Sequence, residues 1–233
     1  MTGPLTLMIP DKADDERDRV ADVWREHGGD VIRLDRFWEP PAITPAAVRL
    51  YGNDTFCLVV AEVLGLELVS PPDDLLLRIA PRWLGREVEA CALGDAGRLR
   101  FPRFVKPVIP KQFRAAVYAD LEQLATETRG LEPDVVLVVS EPVAFTAEVR
   151  CFVLDGEVVT AACYEGRADI DGARAFAGSF ASDAPLPATT VLDIGRTERG
   201  FCLIEANATW GSGLNGCEPQ PVAECLKVAT RPG

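Results

Sequence analysis

Residues 146–166, TAEVRCFVLDGEVVTAACYEG, form the stretch that most strongly constrains the fold. Two runs rich in β-branched and aromatic residues flank Asp155-Gly156, a dipeptide favoured in two-residue turns, so the stretch predicts a β-hairpin. Glu148 and Arg150 alternate with apolar residues in the first run, which places both side chains on one face of the sheet. This pair is also consistent with a plain surface ion pair.

The pattern on either side of the hairpin alternates strands and helices. Upstream, FPRFVKPVI (101–109) and DVVLVVSEPV (134–143) predict strands, and residues 73–92 and 115–128 predict helices. Downstream, small residues at 173–188 predict a loop, residues 188–210 predict a second hairpin-like pair of strands, and residues 218–229 predict a terminal helix.

The first 72 residues predict a small parallel α/β unit. PLTLMIP, DVIRLD and VRLYG are strand-like, and residues 14–27 form an amphipathic helical pattern that ends at Gly28-Gly29. Asn53 or Asp54 is placed to cap a second helix that runs to about Leu64. The fold class predicted for the whole chain is therefore α/β.

Composition excludes several classes of function. The net charge of −12 opposes nonspecific nucleic-acid binding, which needs clustered Lys and Arg. No run is long and apolar enough to span a bilayer, and no secretory signal is visible, so we expect a cytoplasmic protein without a membrane partner. The seven cysteines include no CxxC pair, which predicts reduced core thiols, and the single histidine, His27, argues against zinc and Ser-His or Cys-His catalysis.

Polar residues interrupt two apolar strands near the C-terminus. Asp193 lies in VLDIG, and Glu205 and Asn207 lie in IEANA. If these strands pair through the turn at residues 197–200, two carboxylates and an amide oxygen come together, a set of hard ligands suited to Mg²⁺. The alternative is that Asp193 caps a turn and Glu205 pairs with an arginine.

A cationic strand precedes the hairpin. Lys106 lies in FVKP, and Lys111 follows on the next turn, so both ammonium groups are placed to converge on one phosphate chain. A lysine on a strand is also compatible with an ordinary solvated face.

The order of these motifs resembles the ATP-grasp superfamily. The resemblance covers roughly residues 73–219, and it is nearest to a small bacterial clade noted for one arginine and two lysines. The strings that carry it are FVKPVIPK, EVRCFVLDG and IEANATWGSG. It implies an N-terminal pre-ATP-grasp domain at 1–72, a small lobe at 73–139 and a large lobe with the metal site at 140–233.

The resemblance also implies the ligand sets. Lys106 and Lys111 would bind the ATP phosphates, and Glu148 would reach the ribose hydroxyls. Arg150 would contact phosphate or an acyl-phosphate intermediate, so Arg150 and Lys106 are the expected catalytic residues. The adenine would be held by Glu141, Pro142 and Val143, and Mg²⁺ by Asp193, Glu205 and Asn207.

The activity implied is that of an Mg-ATP-dependent carboxylate-amine ligase acting through an acyl phosphate, on small-molecule or peptide substrates. The alternatives are an ATP-binding regulatory module and an ATP-grasp phosphotransferase. They are favoured by the short length of the chain and by the absence of glycine from VIPKQFRAA (108–116), where the family pattern has a glycine-rich loop. A second departure from the family pattern is that no lysine lies between Lys12 and Lys106. Arg82 or Arg86 is a candidate replacement for the missing lysine, or an ordinary exposed arginine.

For two loops and one pair of aromatic residues, the sequence allows more than one role. Residues 210–216, WGSGLNG, are either an acceptor pocket lining or a turn into the last helix, and residues 51–55 are placed to face the same cleft. Phe37 and Trp38 fit a homodimer interface as well as they fit the core.

Overall fold

The computed structural model describes residues 3–233. In this range the strands are, in chain order, β1 (Thr6–Pro10), β2 (Asp30–Leu34), β3 (Val48–Leu50), β4 (Leu66–Leu68), β5 (Val88–Ala92), β6 (Arg103–Pro107), β7 (Ala116–Tyr118), β8 (Val136–Ser140), β9 (Ala147–Leu154), β10 (Glu157–Gly166), β11 (Thr189–Thr197), β12 (Gly200–Asn207) and β13 (Thr230–Pro232). The α-helices are α1 (Asp15–Glu26), α2 (Asp54–Leu64), α3 (Leu75–Arg78), α4 (Leu121–Glu127), α5 (Ile170–Asp183) and α6 (Pro219–Leu226).

The chain divides into two compact units. The first contains the chain up to Pro71 together with Ala147–Gly195 and Ile204–Gly233. The second contains Pro72–Thr146 and Arg196–Leu203. The mixed α/β class predicted from the sequence is confirmed, and no helix within residues 3–233 has both the length and the apolar character needed to cross a bilayer.

The first unit begins with the predicted parallel sheet, in the order β2-β1-β3. Asp14 caps α1 by accepting a hydrogen bond from the Arg17 amide at 2.9 Å. Asn53 caps α2 in the same way, through the Phe56 amide at 3.0 Å, which settles the choice between Asn53 and Asp54. Trp38 is 53% exposed, and the homodimer stays a prediction.

The predicted hairpin is confirmed as β9 and β10. Asp155 and Gly156 both have positive φ, 49° and 84°, as a two-residue turn of this kind requires. The second sheet has the order β10-β9-β11-β12, and helix α5 packs on β9 and β10. The loop predicted at 173–188 is wrong for residues 173–183, because buried Ala173, Ala177 and Ala181 recur on one face of α5 and alanine is the strongest helix former. Residues 184–188 lie between α5 and β11 and belong to neither a helix nor a strand, as predicted.

The second unit contains an antiparallel sheet in the order β5-β8-β6-β7. Two helix predictions in this unit are partly wrong. Pro81 follows the short α3, and the end of the predicted helix at 73–92 instead pairs with β8 as strand β5. Residues 116–118 pair with β6, and α4 starts only after its cap, Asp120.

Each unit has its own apolar core. In the first unit β1, β3, α1, α2 and α6 enclose one cluster that includes fully buried Met8, Phe56 and Phe152. In the second unit Val105, Leu124 and Leu137 belong to another. These cores fix the strands that carry the polar residues of interest.

Candidate functional site

Arg150 and Asp193 form a buried ion pair on adjacent strands of the first unit. Arg150 lies on β9, and its Nε and Nη2 donate to Asp193 Oδ1 and Oδ2 at 2.9 and 2.8 Å. Asp193 lies within β11 and is only 3% exposed, so it does not cap a turn. A planar guanidinium that meets both oxygens of a carboxylate gives a strong, well-oriented contact.

Asn207 links this pair to the next strand. Its Nδ2 donates to Asp193 Oδ2 at 3.2 Å and to Glu205 Oε1 at 3.1 Å. Glu205 and Asn207 both lie on β12, beside β11 in the sheet. The structure therefore brings together all three residues predicted to hold metal, as two carboxylates and one amide. Among residues 3–233, no group of three or more His, Cys, Asp or Glu side chains is arranged to hold a metal ion.

Burial dominates the electrostatics of this cluster. It raises the pKa of Asp193, and the negative charge of Glu205 adds to that rise, whereas the hydrogen bonds and charge of Arg150 oppose it. For Arg150, burial alone would lower the pKa, but the hydrogen bonds and charge of Asp193 outweigh burial and raise it. The cluster thus holds Arg150 firmly charged beside two acidic groups.

Glu148 shares a face with Arg150, as predicted, but the two do not form an ion pair. The Glu148 carboxylate instead accepts a hydrogen bond from the Tyr164 hydroxyl at 2.6 Å. The Arg150 guanidinium lies over the Tyr164 ring, 5.7 Å from its centre. Burial, and then the hydrogen bond to Glu148, raise the Tyr164 pKa.

Sequence reasoning missed Tyr164. The register of β9 and β10 shifts between Cys163 and Glu165, so Tyr164 is the extra residue of a β-bulge. A bulge re-aims one side chain, and nothing in the local pattern of apolar and polar residues marks its position.

The loop that follows β12 also reaches the ion pair. Gly213 accepts a hydrogen bond from Arg150 Nη1 at 3.0 Å, and the Trp210 carbonyl accepts one from the Gly52 amide at 3.0 Å. The WGSGLNG loop and the turn at residues 51–55 therefore meet, and the loop touches the predicted catalytic arginine. Its role as an acceptor pocket stays a prediction.

The second unit carries the cationic residues. Lys106 is half-buried near the end of β6, between the buried Val105 and Pro107, and lies opposite Val138 of β8. Lys111 lies in the following loop with a φ of 66°, a left-handed conformation uncommon outside glycine. The loop therefore contains a left-handed backbone conformation that is most common for glycine, although none of its residues is glycine.

The remaining predicted nucleotide contacts follow β8 in the same unit. Glu141 and Pro142 are exposed and Val143 is half-buried, in a segment without regular structure. Of the two candidates for the missing lysine, Arg86 is buried and donates to the carbonyls of Leu84 and Leu203 at 3.0 and 2.9 Å. Burial lowers its pKa. Arg82 lies over the Trp83 ring, 5.1 Å from its centre.

Thiol and imidazole chemistry has little support in this chain. All seven cysteines are free, and five are buried. Burial raises the pKa of Cys151 to about 12 and those of Cys217 and Cys225 to about 11, so little thiolate forms at neutral pH. His27 is exposed, and its Nδ1 lies 2.8 Å from the Val23 carbonyl.

Comparison with solved structures gives the same fold at low identity. An ATP-grasp RimK domain protein from Sphaerobacter thermophilus DSM 20745 is 16% identical with a TM-score of 0.61, covering 95% of this chain and 98% of that one. The ATP-grasp ligase PsnB, complexed with a phosphomimetic precursor variant, Mg and ADP, is 15% identical with a TM-score of 0.55, covering 97% of both chains. D-alanine–D-alanine ligase from Bacillus anthracis, complexed with ATP, is 11% identical with a TM-score of 0.54, covering 97% of this chain and 96% of that one.

Sequence comparison is more specific about the family. No curated protein matches the chain. A family model of the ATP-grasp domain, the second family of the clade named for one arginine and two lysines, matches residues 83–225, which is more than half of the chain. That match includes the cationic strand, the hairpin and the acidic strands. The chain therefore belongs to the ATP-grasp family, in the second family of this clade.

Proposed function

We propose that this protein is an Mg-ATP-dependent ligase that joins a carboxylate to an amine through an acyl phosphate. Family membership supports ATP as the nucleotide, and two of the solved relatives are described as ligases. The observation that carries the proposal is the buried Arg150–Asp193 pair, extended by Asn207 to Glu205. Charged groups are costly to bury, and this set matches what phosphoryl transfer requires.

The donor set fits Mg²⁺. Magnesium prefers oxygen ligands and retains several waters, so a site of two carboxylates and one amide is sufficient. Burial and Glu205 both raise the pKa of Asp193, so a divalent cation would relieve an excess of negative charge there. We assign Asp193, Glu205 and Asn207 as its ligands, and Mg²⁺ would supply charge neutralisation for the ATP phosphates.

The chain's other residues have binding and orienting roles in this proposal. Lys106 and Lys111 neutralise phosphate charge, and Arg150 stabilises charge on the transferred group. Glu148, held by Tyr164, binds the ribose hydroxyls. Glu141, with the backbone of Pro142 and Val143, binds adenine.

The chemistry needs no covalent enzyme intermediate. The γ-phosphoryl group of ATP passes to a substrate carboxylate, and an amine then attacks the acyl carbon and releases phosphate. The raised pKa values of the buried thiols make cysteine a poor nucleophile, which agrees with such a route. The substrates are small molecules or peptides that carry a carboxylate and an amine.

The test is ADP release in the presence of Mg²⁺ and paired amino acids or peptides. We expect at least one carboxylate–amine pair to raise ADP release above the background, with formation of an amide. Normal ATP binding without any such rise contradicts the ligase and favours a regulatory module. A phosphorylated product without an amide favours a phosphotransferase.

The metal site has a separate test. Glu205→Gln keeps the size of the side chain but removes its charge, so we expect turnover to fall at least about 100-fold with little change in thermal stability. Glu62→Gln is the matched control, because Glu62 is exposed on α2 and is not among the hydrogen-bond partners of Arg150, Asp193 and Asn207. Unchanged turnover in Glu205→Gln would refute the assignment of Glu205.

A further inference from the structure

A polar cavity separate from the Arg150 cluster lies wholly within the first unit. Its volume is about 510 Å³, which is the size of a small-ligand site. The residues that line it come from β3, from β4 and the segment after it, from the segment before β11, and from β13 and the turn after α6 that leads into it. None belongs to the candidate ATP-binding set. Its charged and hydroxyl groups are Arg49, Glu67, Ser70, Lys227, Thr230 and Arg231.

The charge of this lining is positive although the protein carries a net charge of −12. Three cations face one carboxylate, that of Glu67, which Arg231 already binds through Nε at 2.9 Å and through Nη2. Lys227 pairs with Glu224, which lies outside the lining, at 2.6 Å. Arg49 therefore has no carboxylate partner among residues 3–233.

Backbone carbonyls hold the Arg49 guanidinium in place. Its Nε donates to the Lys227 carbonyl, and its Nη1 donates to those of Ala46 and Val48 at 3.1 and 2.6 Å. Nη2, with two N–H groups, makes no hydrogen bond to any residue of the described chain. Burial lowers the Arg49 pKa, and an anion beside it would reverse that effect.

The lining also contains two hydroxyl groups, those of Ser70 and Thr230. Thr230 is 1% exposed, and its Oγ1 accepts a hydrogen bond from the Leu50 amide at 3.3 Å. Ser70 Oγ accepts one from Trp210 Nε1 at 3.2 Å. Neither hydroxyl donates to a residue within 3–233. Because Ser70 is exposed and Thr230 is not, only the Ser70 hydroxyl retains a hydrogen that a ligand can reach.

We propose that this cavity binds a small organic oxyanion, a carboxylate or a phosphate monoester, through Arg49 Nη2 and the hydroxyl of Ser70. An arginine fixed by carbonyls is already oriented, so less conformational entropy is lost on binding. Val69 and Pro187 supply an apolar wall for a carbon skeleton. The Ser70–Trp210 hydrogen bond places the ligand one contact from the WGSGLNG loop.

The test is calorimetric titration of the nucleotide-free protein with inorganic phosphate and, separately, with acetate at constant ionic strength. We expect binding of at least one probe, and the tighter one identifies the ligand's anionic group. Arg49→Gln should weaken binding at least about tenfold, since a charge-assisted hydrogen bond is lost. Lys227→Gln, a surface change that leaves the Lys227 carbonyl in place, should weaken it about two- to fivefold.

Two controls locate the binding. Arg25→Gln removes an exposed arginine outside the cavity and should leave affinity unchanged. Lys106→Ala should also leave it unchanged, which separates this cavity from phosphate binding at the candidate ATP residues. Binding of neither probe, equal affinity in wild type, Arg49→Gln and Lys227→Gln, or loss of binding in Lys106→Ala would each overturn the proposal.

Discussion

Arg150 and Arg49 lie on strands of the same unit, and their guanidinium groups are held in opposite ways. Arg150 meets both oxygens of a buried carboxylate, and a third bond goes to the Gly213 carbonyl. Arg49 meets three carbonyls and no carboxylate within residues 3–233.

The charges of Arg150 and Asp193 balance each other, and Asn207 and Glu205 lie next to this pair. The charge of Arg49 is not balanced by a carboxylate and is left for an anion from outside the chain. The chemistry of the neighbouring groups, rather than the residue type, separates the cluster that we propose binds Mg²⁺ from the cavity that we propose binds an anion.

The largest effect on stability should come from removing the carboxylate that pairs with Arg150. Asp193→Ala leaves Arg150 charged and largely buried without its carboxylate, so we expect the free energy of unfolding to fall by about 3–5 kcal/mol. Urea denaturation measures this. The control is Asp22→Ala, which removes the carboxylate from an exposed pair with Arg25 and should cost less than about 1 kcal/mol. A loss below that level in Asp193→Ala would mean that the buried pair contributes no more than a surface pair.

Removing the second arginine should cost less. Arg49→Met takes away the donors of three carbonyls but strands no buried charge, so we expect a loss of about 1–2 kcal/mol in the same measurement. Arg25→Met, at an exposed position, is the control. If the free energy of unfolding falls as much as in Asp193→Ala, the Arg49 charge is already compensated by other groups. The two arginines would then not differ in the way described above.

The pKa of the Cys217 thiol depends on how far the charge of Asp193 cancels the charge of Arg150. Its Sγ lies 3.5 Å from the Arg150 carbonyl, and burial raises its pKa to about 11 even though the Arg150 charge opposes this. The folded state therefore retains the thiol proton over a pH range in which the unfolded chain, with a pKa near 9, loses it, so stability falls as the pH rises from the unfolded towards the folded pKa.

Comparing the wild type with Cys217→Ala isolates the contribution of this thiol to the pH dependence of stability. Between about pH 8 and about pH 10 the wild type should lose about 1.3 kcal/mol more than the variant, because only the wild type has this thiol to ionise. Urea denaturation at each pH measures the difference. Parallel curves would mean that the Arg150 charge reaches Cys217 largely uncompensated and cancels the effect of burial.

The smallest effect should come from Tyr164, at the exposed edge of the Arg150 cluster. Tyr164→Phe removes the hydrogen bond to Glu148 and keeps the ring beside Arg150, so we expect a loss of about 0.5 kcal/mol. Tyr164→Ala also removes the ring and should cost a further 0.5–1 kcal/mol or so. Equal losses in the two variants would show that the ring contact contributes nothing to the stability of the cluster.

Much of the fold followed from local patterns. The Asp155-Gly156 turn, the parallel strands of the first unit and the Asn53 cap each depend on a few consecutive residues. Where local patterns were ambiguous, tertiary pairing decided. Residues 88–92 and 116–118 became strands because β8 and β6 offered partners, and α5 formed where small residues had suggested a loop.

The candidate site divides in the same way. Alternation along β9 predicted that Glu148 and Arg150 share a face. The order of three motifs identified the family. Both predictions were possible because each pattern consists of residues that are consecutive in the sequence. The choice of Asp193 as the partner of Arg150 and the cavity around Arg49 depend on strands that are distant in sequence. The bulge that presents Tyr164 depends on the register between β9 and β10. Such contacts form only when the sheets are assembled, and the tertiary structure alone decided which charges are neutralised and which remain available to a ligand.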